Sequence, residues 1–322
     1  MSRGAMFPSG AANVVLAGPG RVAHLPERAW HLSDWPTQAS NLEGAVLAAG
    51  WADFQEPEIT HQWFTPAQAD GAVWLGAVAD PRAFSLPIML HRTATKSLER
   101  VRDAFFDDLG HHQPARLYVN SPSGTTWLDI RMNGRPEVGE TRWDEAIAQE
   151  QDYLIPVVSE QSHWQGTEVA RTWVEGRGWS PNPELWNYGD LPEWPVWTLR
   201  GPGVFTIPDI APKVFTGLEA FVMELIPDWI KDLLRQGGLL RDNQTTVVLL
   251  PGETMVITGD PNRKLAVSDK RDNAHRLLGG QRPLYQVMPH ERWDCSGLRV
   301  VGGRPGVTSA VVRIDPRRRR PW

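Results

Sequence analysis

Cysteine is almost absent: Cys295 is the only one in 322 residues, so no intramolecular disulfide is possible and the fold does not depend on an oxidising compartment. No apolar run approaches the roughly 18 residues that a membrane-spanning helix needs. Met1 to Gly10 lack the charged-then-apolar pattern of a secretory signal. A basic excess is also missing. With 33 Lys and Arg against 38 Asp and Glu the net charge is −5, which argues against a general nucleic-acid binder. The catalytic signatures are missing as well: no Gly-x-Ser-x-Gly, no Ser-x-x-Lys with partners, no Walker loop and no His-Glu-x-x-His.

What the chain has instead is turn formers and tryptophan. The 29 Gly and 27 Pro imply many turns, and hence short strands rather than long helices. There are 16 Trp against 4 Tyr. Large indoles serve as anchors in thin β cores and at subunit interfaces, and this reading is favoured. Sugar stacking on exposed indoles is the sharper alternative. A hydrophobic fraction of 41% with 22% charged residues is ordinary for globular chains, and the length suggests two domains.

Read in order, residues 1–22 set one apolar run, Ala12–Ala17, among glycines and prolines, and are expected to form an arm that orders only against a neighbour. Ala17-Gly-Pro-Gly-Arg-Val22 is read as a turn rather than a phosphate loop, because no helical pattern follows it. In residues 24–80, Ile59, His61 and Trp63 alternate as one face of a strand, and Asp70-Gly71 signals a tight turn before Ala72–Ala77. A β-meander or an extended belt is expected there. Residues 83–160 predict a strand through Ala83–His91 with Pro87 at an edge or bulge. A helix capped by Thr93 or Thr95 follows, with Leu98, Val101, Phe105 and Leu109 on one face. Then come a hairpin turning at Ser121–Gly124 and a strand holding Tyr153, Ile155 and Val157; Thr141–Glu150 reads as a short helix or as the outer part of that strand.

The seam between domains is placed at Asn187-Tyr-Gly-Asp-Leu-Pro-Glu-Trp-Pro195, whose prolines oppose a helix, followed by the β-prone Val196–Leu199 and the stop Gly201-Pro202-Gly203. Beyond it, Gln244–Leu250 and Glu253–Gly259 read as a hairpin around Pro251-Gly252, and the short strands at this spacing suggest a β-sandwich. Pro212–Gly237 breaks the pattern with a helical apolar stripe through Leu218, Phe221, Leu225, Trp229, Ile230 and Leu233. Contact with a subunit or partner and capping of the sandwich are the two readings. The mixed acidic and basic polar face opposes membrane insertion.

Candidate chemistry is sparse. Cys295 in Trp-Asp-Cys-Ser is read as a buried structural thiol, and His111-His112 as a pair too divergent to share a metal. Asp107-Asp108 is read as solvated, and the arginine run 317–320 as a solvated or inter-subunit terminus.

Asn187-x-Gly189-Asp190-x-Pro192-x-Trp194-Pro195, followed by a strand and Gly-Pro, resembles the start of the C-terminal domain in distal tail proteins, often labelled minor tail proteins, of long-tailed actinobacterial phages. The order strand, helix, hairpin, strand, then Ser162-His-Trp164-x-Gly166, is similar to the N-terminal domain of that family, here without the proline of the family's Pro-x-Trp-like motif. Gly252 to Pro261 and the ending of valines, Pro316, arginines and Trp322 match as well. The resemblance implies a mainly β chain: an N-terminal β-barrel-like or split-barrel domain with one helix, and a C-terminal galectin-like β-sandwich with a helical insertion. Expected boundaries are an arm at 1–22, a ring-forming domain at 23–170, a linker at 171–195 and the sandwich at 196–322 with its insert at 212–237.

It also implies a non-enzymatic structural virion protein of the tail tip, baseplate-associated, without cofactor or metal. Its copies would form a ring, as a hexamer, joining the tail tube to the distal hub and fibres. Implied partners are the tube protein, the tape-measure protein, the tail-tip hub and fibre proteins, and DNA that passes through the lumen without specific binding; a membrane is not among them. The implied location is the distal end of the tail, after assembly in the host cytoplasm. Phe221, Leu225, Trp229, Leu233 and Trp322 are the expected subunit or partner contacts. Host-glycan adhesion through exposed tryptophans is the alternative function.

Overall fold

Alternating apolar and polar side chains drive strand formation along most of the chain. The computed structural model describes residues 13–19, 29–33, 43–48, 54, 56–65, 71–139, 149–209, 244–261, 263–278, 283 and 286–321, and it is mainly β. The chain divides into two units. Unit 1 is Met1–Thr167 together with Arg317–Trp322, and unit 2 is Glu168–Pro316.

Unit 1 comprises β1 (Asn13–Ala17), β2 (Ala29–Ser33), β3 (Ala45–Leu47), β4 (Ile59–Phe64), β5 (Val73–Ala79), β6 (Arg82–His91), helix α1 (Leu98–Asp108), β7 (Ala115–Ser121), β8 (Gly124–Met132), β9 (Glu137–Val138), β10 (Glu150–Ser159) and β11 (Trp164–Gly166). The main sheet runs β2-β1-β7-β8-β10-β6-β3, and its end strands β2 and β3 lie side by side, so the sheet nearly closes into a barrel. Its core holds Leu16, Leu32, Leu86, Ile88, Leu117, Leu128, Ile130 and Ile155, all fully buried. Helix α1 covers this core with Val101 and Phe105, starting at Ser97; the Thr93 hydroxyl accepts from the Lys96 amide just ahead of it at 3.0 Å.

Two expectations change in this unit, and that for Pro87 holds only locally. The apolar run of the supposed arm is β1, paired with both β2 and β7, with Val14 and Leu16 fully buried; the apolar Val14-Val15-Leu16 found partners in the same chain. Asp108 is buried rather than solvated, because its Oδ2 accepts from Trp30 Nε1 at 2.8 Å. Pro87 sits inside a strand flanked on both sides, yet its missing donor costs little. Its carbonyl accepts from Ala48 N at 2.9 Å, at the point where β3 has just ended, so β6 is locally an edge there.

Unit 2 comprises β12 (Val169–Val174), β13 (Gly178–Ser180), β14 (Glu184–Trp186), β15 (Val196–Arg200), β16 (Gly203–Pro208), β17 (Gln244–Leu249), β18 (Thr254–Thr258), β19 (Ala266–Ser268), a 3-10 turn (Ala274–Leu278), β20 (Arg292–Asp294), β21 (Arg299–Val301) and β22 (Ser309–Ile314). A six-stranded sheet, β13-β12-β22-β15-β18-β19, and a three-stranded sheet, β17-β16-β21, share one core built on Trp197, Leu199, Phe205, Ile207, Met255, Ile257 and Val312. This is a β-sandwich. The expected linker at 171–195 instead holds most of β12 together with β13 and β14, so the chain enters the sandwich ahead of the proline-rich stretch.

The expected hairpin at Gln244–Gly259 is a sheet switch. β17 pairs with β16, and β18 pairs with β15 in the other sheet. β15 and β16 switch sheets in parallel through Gly201–Gly203. The two corners lock together: Gly201 N donates to Glu253 O at 2.8 Å, and a Cβ on Gly201 would lie 2.4 Å from Leu250 O. Inside the second corner Glu253 is fully buried. Its carboxylate accepts from Leu250 N at 2.8 Å, from Ser268 Oγ at 2.7 Å and from Arg271 Nη2 at 2.7 Å.

After unit 2 the chain returns to unit 1 as β23 (Arg317–Arg318), paired antiparallel with β11. The arginine run therefore completes a sheet rather than hanging free in solvent.

Candidate interaction surface

Strands β4 and β5 pair only with each other among the described residues, and together they leave the barrel as a ribbon. The reason lies in their side chains. Every residue of β4 is exposed, and on β5 five of the seven are. Seven large apolar groups face solvent: Ile59, Trp63, Phe64, Val73, Trp74, Leu75 and Val78, with Leu75 at 64% and Trp63 at 59% exposure. A bulge at Gln62/Trp63 shifts the register, so Trp63 faces Trp74. Trp74 Nε1 donates to His61 Nδ1 at 3.2 Å, and the His61 ring lies 6.3 Å from the Trp63 ring. Residues 66–70, which hold the Asp70 side of the predicted turn, lie outside the described residues.

The base of the ribbon is firmly held. Asp80 N donates to Glu58 O at 3.1 Å, Thr60 Oγ1 to Asp80 Oδ2 at 2.6 Å, and Ser162 Oγ to Ala79 O at 3.0 Å. Just beyond it, Arg82 is 3% exposed and touches three separate segments. Its guanidinium donates to Phe54 O at 2.8 Å, Ser162 O at 3.1 Å and Arg319 O at 3.0 Å. Burial pushes this group down to about 10, opposed by the charge of Glu56. Trp164, fully buried, donates from Nε1 to the same Phe54 carbonyl at 3.1 Å. The tail is secured further along: Thr126 Oγ1 donates to Pro321 O at 2.8 Å, and Arg318 Nη2 to Ser123 O at 3.0 Å.

A two-stranded ribbon is marginal in water by itself, and an apolar ribbon with unpaired edges is a template for association. Burying each large apolar side chain on it is worth roughly 1.5–3 kcal/mol before association costs. The alternation of Ile59, His61 and Trp63 marks a strand but by itself gives the ribbon no contact role. The signal was available: apolar residues occupy both faces of both strands, which no one-sided core can absorb.

The contacts expected from sequence are not brought into view. Phe221, Leu225, Trp229 and Leu233 lie outside the described residues, as does Trp322. Among the described residues no cluster of three or more His, Cys, Asp or Glu is arranged to hold a metal, and no helix is long and apolar enough to cross a membrane. His111 Nδ1 lies 3.1 Å from Met132 O. Cys295 is fully buried just after β20, and burial, with the charge of Asp294, raises its thiol well above the ordinary range.

No protein-family model matches the sequence, and no curated protein does. Solved structures do. The chain is similar to the Dit protein of phage SPP1, described as a paradigm of hub adsorption apparatus in Gram-positive-infecting phages, with a TM-score of 0.53 at 12% identity over 94% of this chain and 98% of that one. Two weaker matches are to the baseplate of phage P2 in its activated conformation. With calcium the TM-score is 0.45 at 7% identity, covering 95% of this chain and 98% of that one. With strontium it is 0.42 at 10% identity, with the same coverage. What this chain shares with the SPP1 protein is the fold, over nearly the whole of both chains.

Proposed function

We propose that this chain is a non-enzymatic structural protein of a phage tail tip, a distal tail protein whose copies close into a ring between the tail tube and the hub and fibre apparatus. The observation that carries the reading is the β4–β5 ribbon: an apolar element, anchored at its base and, among the described residues, unpaired at its edges, on a fold shared with a phage hub protein. A ribbon on one copy inserting against the next is a heterologous contact, and such contacts close into rings when the rotation permits. A hexamer is the closure we infer. Unit 1 would hold neighbouring copies and the tube protein, and unit 2 would meet hub or fibre proteins. Tape-measure protein and DNA would pass through the lumen, and an acidic lining would let DNA slide. The site of action is the virion, at the distal end of the tail, after assembly in the host cytoplasm; actinobacterial origin rests on the Asn187–Pro195 motif.

The test is the native mass of the purified full chain, with negative-stain imaging. Rings of one copy number are expected. A monomer that persists at high concentration would sink the proposal.

Host-glycan adhesion is a second reading. Trp30, Trp164, Trp197 and Trp293 are buried, so the tryptophan count alone does not support it. Outside the ribbon, one other described tryptophan, Trp186, is exposed.

A further inference from the structure

Trp186 ends β14 on a short ribbon of its own. β14 pairs with β20 in the register Glu184↔Asp294, Leu185↔Trp293 and Trp186↔Arg292. Alternation sorts these six residues cleanly. Leu185 and Trp293 are buried in the sandwich core, while Glu184, Trp186, Arg292 and Asp294 share the outward face. The Arg292 guanidinium lies 5.6 Å from the Trp186 ring centre, held by Glu184 Oε2 at 3.3 Å.

The loop that follows is rigidly held. Asn187 is fully buried, and its Nδ2 donates to Leu191 O at 2.8 Å and Val287 O at 2.9 Å. Its Oδ1 accepts from Gly189 N at 2.9 Å, and its own amide donates to Glu291 O at 2.9 Å. Glu193 and Val287 exchange a pair of backbone bonds below it. With Asn187 turned inward, its neighbours turn out: Tyr188 stands 6.1 Å from Trp186 at 68° to it. His290, facing Asp190 at 4.0 Å, adopts a φ of 59°, a left-handed conformation that a non-glycine residue keeps only when its surroundings enforce it.

We propose that this outward face, with Tyr188 and Asp190 at its rim, binds a neutral saccharide. An indole at 45% exposure offers a flat surface to the C–H face of a pyranose. Glu184 and Asp190 accept from hydroxyls, and Arg292 donates to them. The surroundings select among ligands. Glu184, Asp190, Glu291 and Asp294 outnumber Arg171, Arg292 and His290, so phosphate- or carboxylate-bearing glycans are disfavoured. Trp, Tyr and Arg are common in protein interfaces too, but Asp and Glu are depleted there, and the carboxylates ringing this indole are what favour a polyol over a protein partner. Preorganisation by Asn187 lowers the ordering cost of binding.

The site lies within unit 2 and stands apart from ring assembly, so the native mass measured alongside separates the two readings. The experiment uses the full chain carrying 5-fluorotryptophan, with the Trp186 resonance assigned by its loss in Trp186→Phe. Glucose, galactose, mannose and chitotetraose are titrated in turn. A saturable shift of the Trp186 resonance with at least one of them is expected, weakened about tenfold by Trp186→Ala in a parallel calorimetric titration, the worth of one stacked aromatic contact. Asp190→Asn is expected to weaken binding without moving the thermal midpoint. Silence of the Trp186 resonance to all four sugars, or a shift that follows protein concentration instead, would overturn the proposal, the second outcome in favour of a protein contact.

Discussion

Arg82 donates from Nη2 to the carbonyl of Arg319 at 3.0 Å, across 237 residues of sequence. The same guanidinium holds Phe54 and Ser162, so the C-terminal strand, the ribbon's base and the approach to β11 meet on one cation. A planar fork of donors suits three carbonyls in three directions; an ammonium does not. Arg82→Ala is therefore expected to cost about 2–4 kcal/mol, because three carbonyls, one buried and two part-buried, lose a charged donor together. Arg82→Lys should recover little of this. Denaturant unfolding measures the loss, and limited proteolysis should release the last residues first. The lowered ionisation of Arg82 has no neutral-pH signature, since the group stays charged until pH reaches about 10. Above that the native state releases its proton before the unfolded chain does, and stability rises with pH.

The ribbon predicts the opposite pattern. Replacing Trp63 and Trp74 together by serine removes apolar surface that touches no core, so folding stability should change by less than about 0.5 kcal/mol. Assembly should fail, with native mass falling to that of the monomer. Loss of folding together with loss of assembly would show that the ribbon packs on its own barrel, contrary to this account.

The two corners of unit 2 separate steric from conformational effects. Alanine at Gly201 would force a methyl group against the Leu250 carbonyl, with no flexible side chain able to yield, and unit 2 should be destabilised by several kcal/mol, on the order of 3 or more. At Gly252, φ is +69° and the nearest neighbour of an added Cβ is Lys270 Nζ at 3.3 Å, the far end of a flexible exposed side chain that donates to Pro251 O at 2.8 Å, so the cost should stay near 1 kcal/mol, little more than that of a left-handed residue. Comparable midpoints for the two variants would refute the locked-corner geometry.

Glu253 tests the same corner electrostatically. Glu253→Ala strands the Leu250 amide, the Ser268 hydroxyl and the Arg271 guanidinium at once. A loss of about 2–4 kcal/mol is expected: two neutral donors lose a buried carboxylate, and Arg271, itself a quarter exposed, loses its ion-pair partner while water offsets part of the cost. In Arg271→Ala alone the carboxylate keeps two neutral donors, so the loss should be smaller. A double-mutant cycle in urea reads the coupling.

Much of this architecture is legible in local pattern. Phe84 to Leu90 alternate and form β6; Leu98, Val101, Phe105 and Leu109 recur at helical spacing around α1; Ser121–Gly124 turns one strand into the next. What escapes is whatever depends on a partner far along the chain. Asp108 is buried because Trp30 donates to it, and Arg317–Arg318 form a strand because β11 offers an edge about 150 residues upstream. Neither partner is visible in the window around the residue concerned. The corner at Pro251-Gly252 has the residues of a hairpin turn; only the pairing of β17 with β16 reveals the switch. The seam motif begins at Asn187, one residue past Trp186, and local pattern does not mark the face around that indole. Its platform character depends on Asn187 being buried, a tertiary fact.

Cys295 gives a probe of unit 2 that needs no new residue. The thiol is fully buried, with Sγ 3.8 Å from the Trp293 carbonyl it donates to, and burial holds its ionisation well above the ordinary range. Thiolate is the reactive form, so a soluble disulfide reagent at mildly alkaline pH should label it only when unit 2 opens. Labelling should be slow in native buffer, fast in denaturant, and accelerated by Gly201→Ala. The linkage sign follows from the raised thiol. Above about pH 8.5 the unfolded chain gives up this proton while the native state keeps it, so unit 2 loses stability as pH rises through that range. Cys295→Ser should flatten this part of the pH profile, since a hydroxyl does not ionise there. Rapid stoichiometric labelling of the untreated native protein would place the thiol at the surface and defeat the prediction.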